Sequence, residues 1–242
     1  KAAYEARDRA MEKFNLSEDD LPYFRTLHSL AFRRLGIKKE SVMQKTHYED
    51  LGKRIGFPVD YMEYEDEEGG IFSTKSDYLR ILQLAKLRNI SFEKQYDLKE
   101  HTQDVEFDKL RILSHELERY KKEHTLIDFN DMILEFVKSD ASPAFDVVFI
   151  DEAQDLSLIQ WDMAKSIWNK SGDSYIAGDD DQAIFRWAGA DVDSFIAQTG
   201  KILNLTQSYR IPRAVHDVAM KIIGRVSNRL AKKWEPRTHA GT

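Results

Sequence analysis

The stretch FDVVFIDEAQDLS, residues 145–157, decides how this chain folds. The short apolar run in DVVFID (146–151) suits a short, buried strand, and it ends in an acidic cluster of Asp151, Glu152 and Asp155, with Gln154 among them. Further on, SYIAGD (174–179) repeats the design of an apolar run ending in Asp. Between the two lies LIQWDMAKSIWNK (158–170), whose apolar residues have helical spacing. A strand, a helix and a strand at this spacing predict parallel pairing and an α/β fold. KILNL (201–205) is expected to be a third strand.

In open parallel sheets ligands bind beyond the carboxyl ends of the strands, and both runs deliver carboxylates to that edge. A carboxylate at a strand tip can hold Mg²⁺ directly or through water, and a second beside it can take a proton from an attacking water. Hydrolysis of a nucleoside triphosphate uses both. Taken alone, VVFID reads rather as acidic residues opening the next helix, where they favour the N-terminus; the whole set of motifs turns the reading towards a ligand site.

The rest of the sequence fits a soluble globular chain. Its 242 residues are 42% hydrophobic and 11% aromatic, enough for one large or two small units with a sizeable core. No apolar run approaches the roughly 18–20 residues of a membrane span, so no membrane association and a cytoplasmic location are expected. The absence of cysteine leaves oxygen and histidine as metal ligands and excludes disulfides and thiol nucleophiles. A net charge of −6 argues against a uniformly basic nucleic-acid surface but not against a local groove. The acidic EYEDEEGG (63–70) reads as a solvated loop or hairpin tip.

Residues 2–14 place Ala3, Tyr4, Met11 and Phe14 near one helical face, and 24–35 predict a second helix. From about 36 to 125 the pattern is mostly helical. SDYLRILQLAKLRN offers Ser76 as a cap, and Leu110, Leu113, Leu117 and Tyr120 recur at helical spacing. The apolar set Val215, Val218, Ala219, Ile222, Ile223, Val226 and Leu230 predicts a closing amphipathic helix with Pro212 near its start.

The motifs resemble those of the UvrD/Rep/PcrA type of superfamily 1 helicases. VVFIDEAQD is similar to their Walker B box, IAGDDDQAIFRWAGAD (176–191) to the third motif and LNLTQSYRIP (203–212) to the fourth. Upstream, KAAYEARDR (1–9) resembles the end of motif Ia, TLHSLAFRRLG (26–36) the strand-contacting segment after it, and LIDFNDMI (126–133) the box before Walker B. The resemblance implies a partial RecA-like P-loop NTPase domain in two parts, 1–35 and 126–202. A helical insert (36–125) would interrupt it, and 203–242 would begin a second RecA-like domain.

Carried over, the resemblance implies that Asp151 binds Mg²⁺, Glu152 polarises the attacking water, Gln182 senses the terminal phosphate of ATP, Arg210 is an arginine finger and Tyr209 stacks on adenine. Phe185 and Trp187 would offer faces to unstacked bases, and Thr26 and His28 would contact the strand. The implied partners are single-stranded DNA and duplex/single-strand junctions; protein partners stay undefined. Plainer readings stand beside these. Outside their motifs Tyr209 and Phe185 read as ordinary core aromatics, and His28 equally as a cap or a core histidine. Asp128 and Asp131 fit an N-cap and a first-turn acid better than a catalytic pair.

The chain also departs from the pattern. Many relatives read Arg-Trp-Arg where it has Arg186, Trp187 and Ala188, and Ser208 stands where Asn is usual. No G-x-x-x-x-G-K-[ST] occurs, so there is no backbone cradle for phosphates. The expectation is therefore an internal piece of an ATP-dependent DNA helicase, inactive in isolation. The alternatives are a non-hydrolysing nucleic-acid-binding or docking module of helicase shape, or a subunit of a helicase-nuclease.

Overall fold

A computed structural model describes residues 2–61, 74, 76–101 and 104–241. The acidic run at 63–70 lies outside the described residues, and its flanks Tyr61 and Thr74 form an antiparallel bridge. The chain opens with α1 (Ala2–Phe14) and α2 (Leu27–Arg34), then α3 (Lys45–Ile55), α4 (Asp77–Leu87), α5 (Phe92–Asp97) and α6 (Phe107–His124). Ser76 caps α4 as expected, its hydroxyl oxygen accepting from the Leu79 N–H at 3.4 Å. Leu110, Leu113, Leu117 and Tyr120 line the buried face of α6 and meet Tyr48 and Leu51 of α3 and Leu79, Ile81 and Leu82 of α4. Burying each leucine contributes about 1.5–3 kcal/mol, so α3, α4 and α6 share a core of their own.

The second half runs α7 (Phe129–Lys138), β1 (Val147–Ile150), α8 (Leu158–Trp168), β2 (Asp173–Ile176), α9 (Val192–Ile196) and α10 (Arg213–Ile223). The two strands pair in parallel with Val147 opposite Asp173 and Ile150 opposite Ile176, and α8 makes the crossover. Met132, Ile133 and Phe136 of α7, Val148 of β1 and Ile159, Met163 and Ile167 of α8 form a second core. Leu84 and Leu87 of α4 join this core while Leu79 and Leu82 face the first. One helix thus welds the two halves. The chain enters and leaves the helical half side by side. Met43 N–H donates to the Ile127 carbonyl at 2.9 Å, and Ile127 N–H to that of Ser41 at 2.8 Å.

Two expectations are corrected. KILNL is not a strand: 201–205 has no ladder among the described residues, and Leu203 and Leu205 are 75% and 95% exposed. Its apolar pattern is real, but an extended segment becomes a strand only with a neighbour to receive its hydrogen bonds. The closing helix stops at Ile223, so Val226 and Leu230 do not extend its stripe. Gly224 follows as a poor helix former, and the chain beyond is drawn towards the carboxylates after β2. The described part of α10 buries none of its residues. One sheet face is covered by α7 and α8, while the other leaves Phe149 and Tyr175 exposed, their rings stacked at 4.9 Å. Among the described residues no helix is long and apolar enough to cross a membrane.

Candidate nucleotide and nucleic-acid site

The parallel register sends both strands out at the same edge. Beyond β1, Asp151 and Glu152 are exposed. Asp151 Oδ1 accepts from the Glu152 N–H at 3.0 Å, and Glu152 sits at φ +51° in the left-handed region. The Ala153 N–H then reaches the Ala177 carbonyl at 3.0 Å. The sharp turn presents the two carboxylates at the tip while the backbone stays tied to the neighbouring strand.

Gln154, to which the motifs assign no role, ties the two tips together. It is 2% exposed. Its Nε2 donates to Glu152 Oε2 at 2.9 Å and to Asp155 Oδ2 at 3.2 Å, and its Oε1 accepts from the Asp179 N–H at 3.0 Å. Gly178 leaves the room for this, since a Cβ there would lie 2.7 Å from Gln154 Oε1 and 2.9 Å from the Phe195 ring. Burial and the neighbouring Glu152 charge raise the Asp155 pKa against the hydrogen bond from Gln154.

Beyond β2, residues Asp180–Gln182 form one turn of 3₁₀ helix capped by Asp179. Gln182 Nε2 donates to Asp179 Oδ2 at 2.6 Å. Burial would raise the Asp179 carboxyl, but hydrogen bonds from Gln182 and Lys232 outweigh it and hold its pKa below the usual value. Glu152, Gln154, Asp179 and Gln182 therefore form one hydrogen-bonded line across the strand ends. Asp151 stands beside it with one oxygen engaged. Magnesium is commonly held by one or two carboxylates plus phosphate oxygens, a demand that Asp151 fits. Among the described residues no three His, Asp or Glu side chains converge into a ready metal cage.

Phe185 and Trp187 follow Gln182 and are 42% and 57% exposed, so neither is a core aromatic. Trp187 lines an open cleft of about 640 Å³ with Arg186 and, from the helical half, Arg80 and Arg88. Ala188 is buried, and the missing Cβ of Gly189 accommodates Leu87, whose Cβ would be 3.1 Å away. The small residues of RWAGAD thus let this turn dock on α4.

The other candidates lie apart from that line. Tyr209 is 85% exposed and Arg210 exposed. The Ser208 hydroxyl oxygen accepts from the N–H groups of Arg210 and Ile211 at 3.3 and 3.1 Å, shaping the turn that displays both side chains. No hydrogen bond links either side chain to Glu152 or Gln182 among the described residues. Thr26 caps α2, its Oγ1 accepting from the Ser29 N–H at 3.2 Å. His28 is half-buried, edge-on to Phe129 at 5.7 Å. Desolvation pushes its pKa down to about 4 against the pull of Asp128. Asp128 and Asp131 are structural as expected. Asp128 caps α7, accepting from the Asp131 N–H at 2.9 Å, and both carboxylates bind Lys86 and Lys121 at 2.5–3.0 Å. The two lysines, from α4 and α6, gave no signal in the sequence beyond lying on helices.

Residues 1–202 match the family model described as UvrD/REP helicase N-terminal domain. Among individual proteins, the chain is similar to the ATP-dependent DNA helicase PcrA of Bacillus subtilis, 24% identical over 96% of this chain and 33% of that protein. It is 23% identical to the ATP-dependent DNA helicase Rep of Buchnera aphidicola over 96% of this chain and 38% of that protein. DNA helicase II of Haemophilus influenzae is 35% identical, over 36% of this chain and 13% of its own length. The chain spans about a third of the length of the PcrA and Rep relatives it matches. With most of its length matched and its strand-tip motifs in order, the chain belongs to the UvrD/REP helicase N-terminal domain family.

Proposed function

We propose that this chain is part of an ATP-dependent motor that moves along single-stranded DNA and opens duplex at duplex/single-strand junctions. The observation that carries the proposal is the line Glu152–Gln154–Asp179–Gln182 across the carboxyl ends of two parallel strands, in a chain of this family. Bound MgATP would supply the phosphoanhydride bond that is broken. In this reading Asp151, the Walker B carboxylate, holds Mg²⁺, Glu152 takes a proton from the attacking water, and Gln182 contacts the terminal phosphate. Tyr209 stacks on adenine, and Arg210 approaches the transferred phosphoryl as the domains close.

The same proposal divides the chain into a RecA-like domain (1–35 and 126–202), its helical insert (36–125) and the start of a second RecA-like domain (203–242). Exposed Trp187 and Phe185 stack bases, an interaction that tolerates any sequence, while Thr26 and His28 lie along the strand's path. The test is a tailed DNA duplex with the whole protein. Strand separation with ATP and none with a non-hydrolysable analogue is the expected result. Binding of the tail without separation under any nucleotide would favour the non-hydrolysing docking module.

A further inference from the structure

The sequence following α10 runs back to the strand ends. Asp179, Asp180 and Asp181 are consecutive carboxylates on one tight turn, an arrangement that repels itself unless cations are supplied. Two come from residues 229–232. Arg229 donates to both oxygens of Asp181, at 2.7 and 2.5 Å. The Leu230 N–H donates to Asp180 Oδ2 at 2.7 Å. Lys232 Nζ bonds Asp179 Oδ1 at 2.5 Å, bonds Asp180 as well, and lies 3.4 Å from Asp181 Oδ2. Four of the side chains are largely shielded, with Asp180 2%, Asp181 12%, Lys232 16% and Arg229 17% exposed, while Asp179 is 38% exposed. Paired charges this shielded hold geometry better than surface pairs, because removing one leaves its partner uncompensated.

The same segment continues alongside the turn that carries Tyr209 and Arg210. The Ser208 N–H donates to the Glu235 carbonyl at 2.8 Å, the Glu235 N–H to that of Thr206 at 2.7 Å, and the Arg237 N–H to that of Ile211 at 2.8 Å. One strap, 229–237, therefore grips the Gln182 turn at one end and the 206–211 segment at the other. The decisive contact is at Asp179. Oδ1 receives Lys232 at 2.5 Å and the Asp181 N–H at 3.2 Å, and Oδ2 receives Gln182 Nε2 at 2.6 Å.

We propose that Lys232 and Arg229 are positioning residues for nucleotide hydrolysis, fixing Gln182 through Asp179 and coupling that turn to the segment bearing Tyr209 and Arg210. Burial alone would lower the Lys232 pKa, but Asp179 and Asp180 reverse this and raise it, so the clamp stays charged. Loss of the ammonium leaves Asp179 Oδ1 with only the longer bond from the Asp181 N–H, so the carboxylate, and Gln182 with it, is held less firmly. The functional half of the proposal rests on the nucleotide reading above; the structural half does not.

Two arms test it. In the 242-residue chain, amide exchange is followed at Gln182 and Ala183, whose N–H groups bond the carbonyls of Asp179 and Asp180. Lys232→Met should speed exchange there about tenfold or more, the equivalent of one charge-assisted hydrogen bond. Lys232→Arg should restore protection, and Lys233→Met, a change at an exposed neighbour, should leave it intact. In the whole protein, Lys232→Met should lower kcat about tenfold while KM for ATP stays within about threefold. Adding Asp179→Asn should cost nothing further, because both changes break one link. Unchanged exchange at Gln182 and Ala183, or equal acceleration by Lys233→Met, overturns the clamp. Clamp-dependent exchange with additive kinetic losses overturns the positioning role. A wild-type protein that does not hydrolyse ATP overturns the nucleotide reading, and the exchange arm still decides the clamp.

Discussion

Glu152 holds a backbone conformation that costs a non-glycine residue about 1–3 kcal/mol, and it does so between Asp151 and a buried glutamine. Such strain persists where surrounding bonds over-determine it, here the Gln154 amide and the Ala153–Ala177 hydrogen bond. Trp187 is set up differently. Its neighbours Ala188 and Gly189 dock on α4 and leave the indole at a cleft with three guanidinium groups. Trp187→Ala in the whole protein should weaken single-strand binding about tenfold or more, with little change in melting temperature. A variant that melts several degrees lower with unchanged strand affinity would make Trp187 a packing residue.

His28 carries a pH signature. Its folded-state pKa lies near 4 against an unfolded 6.5, so the unfolded chain binds the extra proton between these values. The stability His28 contributes is complete above pH 6.5 and is lost as pH falls towards 4. His28→Gln should flatten the urea midpoint across that window, and an unchanged slope would remove the histidine from the account. The sequence named Glu152, Gln182 and Trp187 because their neighbours form motifs. It was silent on Gln154 and Lys232, whose roles depend on which distant backbone or carboxylate they meet.

At the scale of elements, α4, α6 and α7 meet at Lys86, Lys121, Asp128 and Asp131. Lys121 is 4% exposed and Lys86 and Asp131 22%, and the more exposed Glu118 also pairs with both lysines, so the cluster is a partly buried charge network. Burial opposes ionisation of Asp128, but the two lysines and the Asp131 N–H hold its pKa well below the ordinary value of 3.8. Burial and Asp128 push Asp131 the other way. Because Asp128 is depressed, its stabilisation is present above about pH 4 and fades as pH falls below that. Lys121→Met should destabilise the chain by about 1–3 kcal/mol at neutral pH, the range for a buried polar group losing one partner, because Lys86 still pairs with both carboxylates. A loss under about 1 kcal/mol in urea unfolding would mean that the charges reach water.

Most elements were legible. The strands, the crossover and the helix caps follow from period, length and capping residues, which are local signals. KILNL and the end of α10 were misjudged because pairing and chain reversal depend on remote partners: a missing strand neighbour for the first, the Asp179–Asp181 turn for the second.

For the whole molecule, the two cores joined through α4 give a scaffold that carries the strand tips, the Trp187 cleft and the strap on one body. The phosphate-cradling loop is missing from these 242 residues, so the chain alone should show no DNA-stimulated ATP hydrolysis. Turnover by the purified chain that disappears with Glu152→Gln would show that the cradle is dispensable. The most direct measurement is steady-state ATP hydrolysis by the whole protein with and without single-stranded DNA, compared with Glu152→Gln alongside a nucleotide-binding titration. The strand-tip mechanism predicts DNA-stimulated turnover that falls by about 10²-fold or more in the variant, the range for a lost general base, with nucleotide still bound. Turnover equal to wild type in Glu152→Gln, or loss of nucleotide binding instead of turnover, would contradict it.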